Sequence, residues 1–330
     1  MKVVVYSVHN FERDFLLRAN TEKHNLILLE ERLNKTTTSL GKGCKAICIF
    51  TGDKANAAVL ESLHQLGVNH LALRSASFNH IDLTKVRKLK MKVVRVPAYS
   101  PYAIAKHTVA LILALNRKLI RAHHGERDLN FSLDGLVGFD VNGKTVGIIG
   151  TGKIGSVLAR ILHGFGCKIL AYDKEKNKKL IQQYNVKYTD CESLFKHSDI
   201  ITLHIPLAES TRYIINEHAI EMMKPVVMLI NTSRGGLVKT KAVINALKTK
   251  QIGAFGLDVY EEEEGLFFEE HSEDILMDDT IARLMTFKNV LITSHQAFLT
   301  ETALRNIAET TIYNLDCFEN GIDNENEIEL

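Results

Sequence analysis

Short apolar runs alternate with amphipathic stretches along most of the chain, and this pattern predicts alternating strands and helices. In the first hundred residues the apolar runs predict strands at Val3–Tyr6, Ala46–Phe50, His70–Leu73 and Val93–Val96. A second series predicts strands at Thr145–Ile149, Lys168–Tyr172, Ile200–Leu203, Val226–Ile230, Gly253–Gly256 and Val290–Ile292. Strands that are apolar on both faces are typical of parallel sheets covered by helices. The pattern therefore predicts an α/β fold with two parallel sheets in series.

Three helical patterns stand out between and after these runs. The first covers Ala55–Leu66, between two predicted strands. The second opens with Ser100 and Pro101, a typical helix start, and continues to Arg121. The third covers Thr300–Phe318, and a polar tail at 319–330 follows it.

Composition and charge narrow the class of protein. Of 330 residues, 45% are hydrophobic and 24% are charged, and the formal net charge is +2. So weak a charge bias predicts neither nucleic-acid binding nor membrane binding. The longest apolar stretch, near Val109–Leu115, is much shorter than the ~18–20 residues that span a bilayer. The short apolar run at residues 1–6 predicts a strand and not a secretory signal.

Five cysteines are scattered along the chain without a Cys-x-x-Cys pair. This spacing predicts neither a disulfide framework nor a zinc site, and it is typical of a protein of the reducing cytoplasm. We expect no metal ion at the functional site.

A glycine-rich loop follows the predicted strand Thr145–Ile149 and precedes a helical pattern over Ser156–Gly164. The loop reads Gly150-Thr151-Gly152-Lys153-Ile154-Gly155. Glycines at this spacing, between a strand and a helix, bind the pyrophosphate of a dinucleotide. Asp173 ends the next strand about 20 residues further on, where a carboxylate binds the ribose 2′-hydroxyl of NAD and repels the 2′-phosphate of NADP. Lys174 leaves the strictness of that exclusion open.

Two charged side chains follow predicted strands at their carboxyl ends, where ligands bind in open α/β sheets. Arg234 comes after Val226–Ile230, and the glycines Gly235 and Gly236 leave space beside it. A planar, permanently charged guanidinium suits a carboxylate or a polarised carbonyl oxygen. His295 comes after Val290–Ile292, and an imidazole suits the proton transfer that accompanies hydride transfer.

An acidic stretch, Asp258–Glu264, follows the predicted strand Gly253–Gly256. A carboxylate from this stretch beside His295 would favour the imidazolium. We expect most of its glutamates to be solvated.

Several motifs, in order along nearly the whole chain, resemble those of the D-2-hydroxyacid dehydrogenases, and within that family the D-lactate dehydrogenases. They are V-P-A-Y-S-P at 96–101, N-F-S-L-D-G-L at 130–136, G-K-T-V-G-I-I-G-T-G-K-I-G at 143–155, L-H-I-P-L at 203–207, N-T-S-R-G at 231–235, G-L-D-V-Y-E-E-E at 256–263 and H-Q-A-F-L-T at 295–300. The resemblance implies reversible reduction of a 2-ketoacid by NADH.

The resemblance also implies roles for the residues of these motifs. Arg234 would hold the substrate carboxylate and carbonyl, His295 would protonate the carbonyl oxygen, and Glu263, five residues after the aspartate of D-V-Y, would keep His295 protonated. Further residues would bind the cofactor: Asp258 at the nicotinamide carboxamide, Ile205 and Pro206 near the adenine, and Thr232 and Ser233 along the site.

The substrate site would include backbone N–H groups of the loop at Ala76 and Ser77, together with Tyr99 and Phe298. The two aromatic residues would favour a small methyl group, hence pyruvate and D-lactate. The loop departs from the family at Ser77, where glycine is usual. If the backbone there has a positive φ, serine is strained, so we expect an altered carboxylate site. Lys106 stands where glutamate is frequent, which we expect to change a surface charge.

The family's fold implies a discontinuous substrate domain, residues 1–100 and 297–330, with an NAD-binding domain inserted at 101–296. The helices that begin near Pro101 and Thr300 would connect the domains and form a hinge. Because members of the family form dimers or tetramers, the resemblance implies a homodimer or a homotetramer.

Two other functions stay open at this point. The first is reduction of a different 2-ketoacid, such as glyoxylate, hydroxypyruvate or a bulkier one. The second is a co-repressor that senses NAD and acts by binding a partner protein, although the chain has no obvious extra segment for it.

Overall fold

The computed structural model describes residues 1–329, and the chain divides into two compact units. The first unit combines Met1–Ser100 with Leu299–Leu330, and the second is Pro101–Phe298. The junction expected between residues 296 and 297 lies just before the observed one. The N–H of Ala297 is bonded to the Asp258 carboxylate, so this residue is tied to the second unit.

The first unit is a five-stranded parallel sheet between helices. Its strands, in the spatial order β2-β1-β3-β4-β5, are β1 (Lys2–Val5), β2 (Asn25–Leu28), β3 (Ala46–Ile49), β4 (His70–Leu73) and β5 (Lys92–Val94). Its helices are α1 (Asn10–Asn20), α2 (Ala57–Gln65), α3 (Leu83–Leu89) and, at the end of the chain, α12 (Glu301–Asn320), with a 3₁₀ turn at Thr38–Gly41.

The alternation of side chains along each strand fills both faces of this sheet. On β1, Val4 packs on one side in a cluster with residues of α2 and α3, such as Leu60. Its neighbours Val3 and Val5 pack on the other side, in a cluster that includes Ile312 of α12. The sheet is therefore covered on both faces, which explains its continuous apolar runs.

A buried ion pair stabilises the carboxyl ends of the strands in the first unit. Arg74 is fully buried directly after β4, and its guanidinium donates two bonds of 3.0 Å to the Glu12 carboxylate. It also donates to the carbonyl oxygens of Tyr6 and Ser7, each at 2.9 Å. Removing one partner of such a pair costs about 3–5 kcal/mol. The pair thereby fixes the start of the loop that holds Ala76.

The polar tail packs against the first sheet. Glu327 forms a bridge with Val94, and the N–H of Ile328 donates to the carbonyl of Val93 at 2.8 Å. Asn324 and Asn326 are buried, and both donate to the side-chain oxygen of Asn314 on α12. This packing could not be predicted from the polar composition, because the buried asparagine side chains satisfy one another through hydrogen bonds.

The second unit is a seven-stranded parallel sheet. Its strands, in the order β12-β11-β10-β9-β6-β7-β8, are β6 (Thr145–Ile149), β7 (Lys168–Tyr172), β8 (Lys187–Tyr188), β9 (Ile200–Leu203), β10 (Val227–Asn231), β11 (Ile252–Leu257) and β12 (Val290–Ile292). Its helices are α4 (Pro101–Asn116), α5 (Leu119–Arg127), α6 (Lys153–Gly164), α7 (Lys178–Tyr184), α8 (Cys191–His197), α9 (Glu217–Met222), α10 (Thr240–Lys248) and α11 (Asp279–Met285), with a 3₁₀ turn at Gly235–Leu237.

The predicted fold class, two parallel α/β sheets, is confirmed. Two local predictions were wrong. The helical pattern from Ser100 to Arg121 is broken at Lys118, whose φ of 54° ends α4 and begins α5. Val226 is outside the strand: its φ is 63° and its side chain is 66% exposed. The strand instead runs to Asn231.

The strand order reverses at β6, because the chain continues to β7 on one side and to β9 on the other. Ligands bind at such a switch point, beside the carboxyl ends of the strands. Among residues 1–329, no helix is both long and apolar enough to cross a membrane. All five cysteines are free.

Candidate active site

Three neighbouring strands of the second unit end in one row. In the registers of the parallel pairs, Asn231 of β10 lies beside Leu257 of β11, and Leu257 lies beside Ile292 of β12. The row continues past the strands, since the N–H of Asp258 donates to Asn231 and the N–H of Thr293 donates to Leu257, both at 2.9 Å. The segments that carry Arg234, Glu263 and His295 therefore leave the sheet side by side.

The segment after β10 is held by its own side chains. The amide oxygen of Asn231 accepts from the N–H of Ser233 at 3.1 Å, and its amide nitrogen donates to the carbonyl of Arg234 at 2.8 Å. This Asx turn reverses the chain within three residues. The half-buried guanidinium of Arg234 donates to the Ser233 carbonyl at 2.6 Å, which uses one of its five N–H donors.

Gly235 is required by a close approach of two backbones. A Cβ there would collide with the carbonyl group of Tyr260, which belongs to the segment after β11. Gly236 differs, because its Cβ would meet only the side chain of Leu207, at 2.9 Å. The first glycine therefore packs the arginine segment against the acidic segment.

The carboxylate of Asp258 holds the segment that carries His295. Asp258 is fully buried, and its oxygens accept from the Thr293 hydroxyl at 2.5 Å and from the N–H groups of Gln296 and Ala297, each at 2.9 Å. Its carbonyl oxygen accepts from the N–H of His295 at 2.7 Å. These bonds keep His295 in the left-handed region, at a φ of 53°, which is uncommon for residues other than glycine.

The imidazole of His295 is paired with Glu263. Nδ1 lies 2.9 Å from Oε1 of Glu263, and the two side chains are 16% and 28% exposed. Since a carboxylate only accepts, Nδ1 carries the hydrogen, and the other ring nitrogen, Nε2, is left for a substrate. The second carboxylate oxygen accepts from the Tyr260 N–H at 3.1 Å, which fixes the orientation of Glu263.

The other glutamates of the acidic stretch divide as expected. Glu262 and Glu264 are exposed. Glu261 accepts from the N–H of Thr240 at 3.1 Å, at the start of α10. The stretch therefore contributes one carboxylate to the imidazole, and that carboxylate is the one implied by the resemblance.

The glycine-rich loop at the switch point has the shape that a dinucleotide requires. Gly150 has a φ of 96°, and a Cβ there would collide with the carbonyl of His204. A Cβ on Gly155 would collide with the carbonyl of Gly150, so this glycine allows helix and loop to pack. Gly152 faces open space, where nothing lies within 4 Å of its Cβ position. The loop thus presents bare backbone at the start of α6, whose first residues are Lys153 and Ile154.

Asp173 lies beside this loop at the end of β7. One of its carboxylate oxygens accepts from the N–H of Thr151 at 2.5 Å and from the Thr151 hydroxyl at 3.0 Å. Partial burial acts to raise the pKa of Asp173, but these hydrogen bonds outweigh it and hold the pKa below its usual value. Asp173 therefore stays ionised next to the loop.

The segment after β9 forms hydrogen bonds with β6 on one side and with the segment after β10 on the other. The N–H of His204 donates to the carbonyl of Ile149 at 2.7 Å, and the carbonyl of Ile205 accepts from the Ser233 hydroxyl at 2.7 Å. The carbonyl of Pro206 accepts from the Thr211 hydroxyl at 2.7 Å. The residues predicted to line the cofactor site therefore follow the carboxyl ends of neighbouring strands, from β7 to β11.

Both ring nitrogens of His204 are enclosed without a hydrogen-bond partner, although the residue as a whole is partly exposed. Burial lowers the pKa of His204 to about 3. The imidazole therefore stays neutral near physiological pH.

Ala76, Ser77 and Tyr99 belong to the first unit. The carbonyl of Ala76 accepts from Arg95 at 2.9 Å, and the carbonyl of Tyr99 accepts from Asn306 at 2.6 Å. Ser77 does not have a positive φ, so the backbone strain that we expected at this position is absent. Phe298 is a buried residue at the end of the second unit.

Several side chains that support these segments were not predicted from the sequence. The hydroxyl of Thr108 on α4 lies 2.9 Å from that of Thr232, and Nε2 of His107 lies 3.0 Å from the Thr293 hydroxyl. Thr108 and His107 both belong to α4, which was predicted from the sequence only as an apolar helix. Their consecutive polar positions inside a helix with an apolar face were the signal that could have indicated a supporting role.

Comparisons with known proteins agree with this geometry. Residues 109–297 match the family described as D-isomer specific 2-hydroxyacid dehydrogenase, NAD binding domain. A 2-hydroxyacid dehydrogenase homolog of Zymomonas mobilis is 47% identical over 97% of this chain and 98% of its own length. The D-lactate dehydrogenase of Escherichia coli is 45% identical over 99% of this chain and 100% of its own.

Solved structures give the same result for the fold. The apo-structure of the Escherichia coli D-lactate dehydrogenase has a TM-score of 0.90 at 43% identity, with full coverage of both chains. The pyruvate reductase of Chlamydomonas reinhardtii has a TM-score of 0.93 at 42% identity, covering 99% and 98%. A D-lactate dehydrogenase of Aquifex aeolicus, solved with NAD and lactic acid, has a TM-score of 0.87 at 34% identity, covering 97% and 96%.

Proposed function

Because this chain belongs to the D-isomer specific 2-hydroxyacid dehydrogenase family and is an NAD-dependent dehydrogenase, we propose that it interconverts pyruvate and D-lactate. The observation that carries the proposal is the pair His295–Glu263, which leaves the sheet beside Arg234. A fixed proton donor next to a guanidinium suits reduction of a 2-ketoacid. Relatives that share nearly the whole length are described as D-lactate dehydrogenases.

The proposed reaction divides the work among three side chains. The guanidinium of Arg234 binds the substrate carboxylate and the carbonyl oxygen, and so orients the carbonyl carbon. NAD, when bound, supplies the hydride chemistry. His295 gives its Nε2 proton to the carbonyl oxygen in reduction and takes it back in oxidation. Glu263 holds the opposite ring nitrogen, and its negative charge stabilises the imidazolium.

The residues of the glycine-rich loop fit the cofactor, and the other assignments follow the same edge of the sheet. Gly152, Lys153 and Ile154 would meet the pyrophosphate, and Asp173 would bind the ribose hydroxyl. The Asp258 carboxylate accepts three hydrogen bonds from residues 293–297, and Nε2 of His107 lies 3.4 Å from its Oδ1. The nicotinamide carboxamide would lie beside this carboxylate.

We assign the two units different tasks within the proposal. The second unit would be the NAD-binding domain, in agreement with the extent of the family match. The first unit would be the substrate domain, and its loop at Ala76 and Ser77, with Tyr99, would bind substrate. Phe298 would limit the size of the group that the ketoacid carries.

Kinetics of a His295→Gln variant test the proposal. Loss of a general acid lowers kcat by about 10²–10⁴-fold, while NADH should bind with unchanged affinity, because His295 is not part of the nucleotide loop. Arg283→Gln, at a surface arginine of α11, is the control and should keep full activity. A His295→Gln enzyme that reduces pyruvate at the normal rate would refute the assignment.

We also propose that the protein forms a homodimer or a homotetramer. None of the residues of α5 is buried, and the segment after it exposes several large apolar side chains. They are Leu129, Phe131, Leu133 and Val137, each more than 70% exposed. An apolar stretch of this kind marks an interface. Light scattering of Phe131→Asp beside the unaltered protein tests it, since the proposal predicts a smaller particle for the variant.

The proposed location is the cytoplasm. The five free cysteines agree with a reducing compartment, and four of them are buried. The measurement that checks the location is fractionation of the host cells with an antibody to the protein. Recovery of the protein outside the cytoplasm would contradict it.

A further inference from the structure

A chain of hydrogen bonds runs from an edge strand to the carboxylate that the proposed function assigns to the ribose. Tyr188 ends the two-residue strand β8 and lies opposite Ala171 of β7. Its hydroxyl donates to Oγ1 of Thr151 at 2.8 Å and accepts from the N–H of Asn177 at 3.0 Å. The Thr151 hydroxyl in turn donates to Oδ2 of Asp173 at 3.0 Å.

The direction of this chain is fixed by its end. An ionised carboxylate has no proton to give, so the Thr151 hydroxyl must donate to Asp173. Thr151 then has only its lone pairs for Tyr188, so the Tyr188 hydroxyl must donate to Thr151. The Asn177 N–H fills an acceptor position of Tyr188. Thr151 is 4% exposed, which protects the chain from exchange with water.

This series of hydrogen bonds fixes the terminal side-chain torsion of Asp173, which would otherwise vary widely. The terminal torsion of aspartate is broad, so the plane of its carboxylate is set by its hydrogen bonds. Here Oδ2 accepts two bonds from Thr151, while Oδ1 accepts a longer bond of 3.3 Å from the N–H of Glu175. Oδ1 therefore keeps the acceptor capacity that a ribose hydroxyl needs.

We propose that Thr151 and Tyr188 are positioning residues that hold Asp173 for the adenine-side ribose and thereby set the preference for NADH over NADPH. This inference rests on the proposed role of Asp173. With its carboxylate locked, Asp173 cannot turn away from a 2′-phosphate, so NADPH is repelled. Without the hydroxyls, the backbone N–H of Thr151 still holds Oδ2, but the carboxylate turns more freely and its bond to the ribose weakens. Lys174, the next residue, then contributes more to the binding of an added phosphate.

The test uses three variants and one control. Thr151→Val and Tyr188→Phe each remove a hydroxyl from the chain, and Thr151→Ser restores it. Tyr184→Phe is the control, because it removes a tyrosine hydroxyl from α7 that takes no part in this series of hydrogen bonds. Affinities for NADH, NADPH and NADH with a 2′-deoxyadenosine half are measured by calorimetry, and kinetics with pyruvate give kcat and KM.

We expect Thr151→Val and Tyr188→Phe to raise the KM for NADH about three- to tenfold, with kcat at saturation within about twofold of the original. The ratio of NADPH to NADH affinity should rise, and Thr151→Ser and Tyr184→Phe should behave as the unaltered protein. Removal of the 2′-hydroxyl should weaken binding less in the two variants than in the unaltered protein.

The outcomes separate the inference from the proposed role beneath it. If the unaltered protein binds the 2′-deoxy cofactor as well as NADH, the role of Asp173 is wrong. If it binds the 2′-deoxy cofactor more weakly, and the variants lose as much as the unaltered protein does, Asp173 keeps its role and the positioning by Thr151 and Tyr188 is wrong. The two variants act at different points, so either one that folds gives a result.

Discussion

Replacing Asp258 with asparagine should loosen the attachment of His295, the proposed proton donor, to the sheet. Asp258 is fully buried, and its carboxylate accepts hydrogen bonds from Thr293, Gln296 and Ala297. Asparagine has the same shape but only one acceptor oxygen, and its other group is a donor. Whichever way the amide turns, a backbone N–H of Gln296 or Ala297 faces another N–H.

The size of the effect follows from these bonds. A buried donor left without a partner costs about 1–3 kcal/mol, and a hydrogen bond to a charged group contributes about 1.5–3 kcal/mol. We therefore expect a loss of about 2–5 kcal/mol in unfolding free energy, hence roughly 5–15 °C in the midpoint of the second unit. Because a displacement of about 1 Å can cost 10²-fold in rate, kcat should fall at least tenfold.

The assay combines thermal unfolding with pyruvate kinetics at saturating NADH. The control is Asp199→Asn, since Asp199 accepts from the N–H of Thr145 at the opposite end of the strands and from Lys224. This variant should lose stability and keep its kcat. An Asp258→Asn enzyme with an unaltered kcat would refute the argument that Asp258 positions His295.

Three further predictions concern single positions. Burial lowers the pKa of His204 to about 3, so between pH 6.5 and pH 3 this histidine takes up a proton only in the unfolded chain. Lowering the pH through this range therefore reduces the unfolding free energy by up to about 1.4 kcal/mol per pH unit. In urea titrations without NADH, His204→Gln should lose less stability than the unaltered protein between pH 7 and pH 5. Ser77→Gly should leave the KM for pyruvate unchanged and cost about 0.5–1 kcal/mol in unfolding free energy, because Ser77 has no positive φ; a clearly lower KM would mean that serine does alter the carboxylate site. Gly235→Ala should lower the unfolding free energy by about 1–3 kcal/mol or more and should also reduce activity, whereas Gly236→Ala should change both only slightly. Equal kinetics for the two variants would contradict the close approach of Gly235 to Tyr260.

The strands were predictable where both faces of the sheet are covered, because burial requires continuous apolar runs. The two strands that the pattern missed are edge strands. β2 pairs only with β1 and is partly exposed, and β8 is two residues long and pairs only with β7. Each of these strands forms by pairing with a strand distant in sequence, and the local pattern of apolar residues does not predict such pairing.

The residues proposed to act in the site divide in the same way. The positions of Arg234 and His295 could be proposed from the sequence because each lies a few residues after an apolar strand. Glu263 needed the resemblance, since four consecutive glutamates cannot be ranked from composition. The role of Asp258 in holding residues 293–297 was not predictable, because those hydrogen bonds join positions more than thirty residues apart in the chain.

The most direct test of the central proposal is to measure NADH oxidation with pyruvate beside NAD reduction with D-lactate and, separately, L-lactate. The proposal predicts turnover with pyruvate and with the D isomer, and none with the L isomer. No turnover of pyruvate by an enzyme that binds NADH would contradict it, and so would oxidation of L-lactate at a comparable rate.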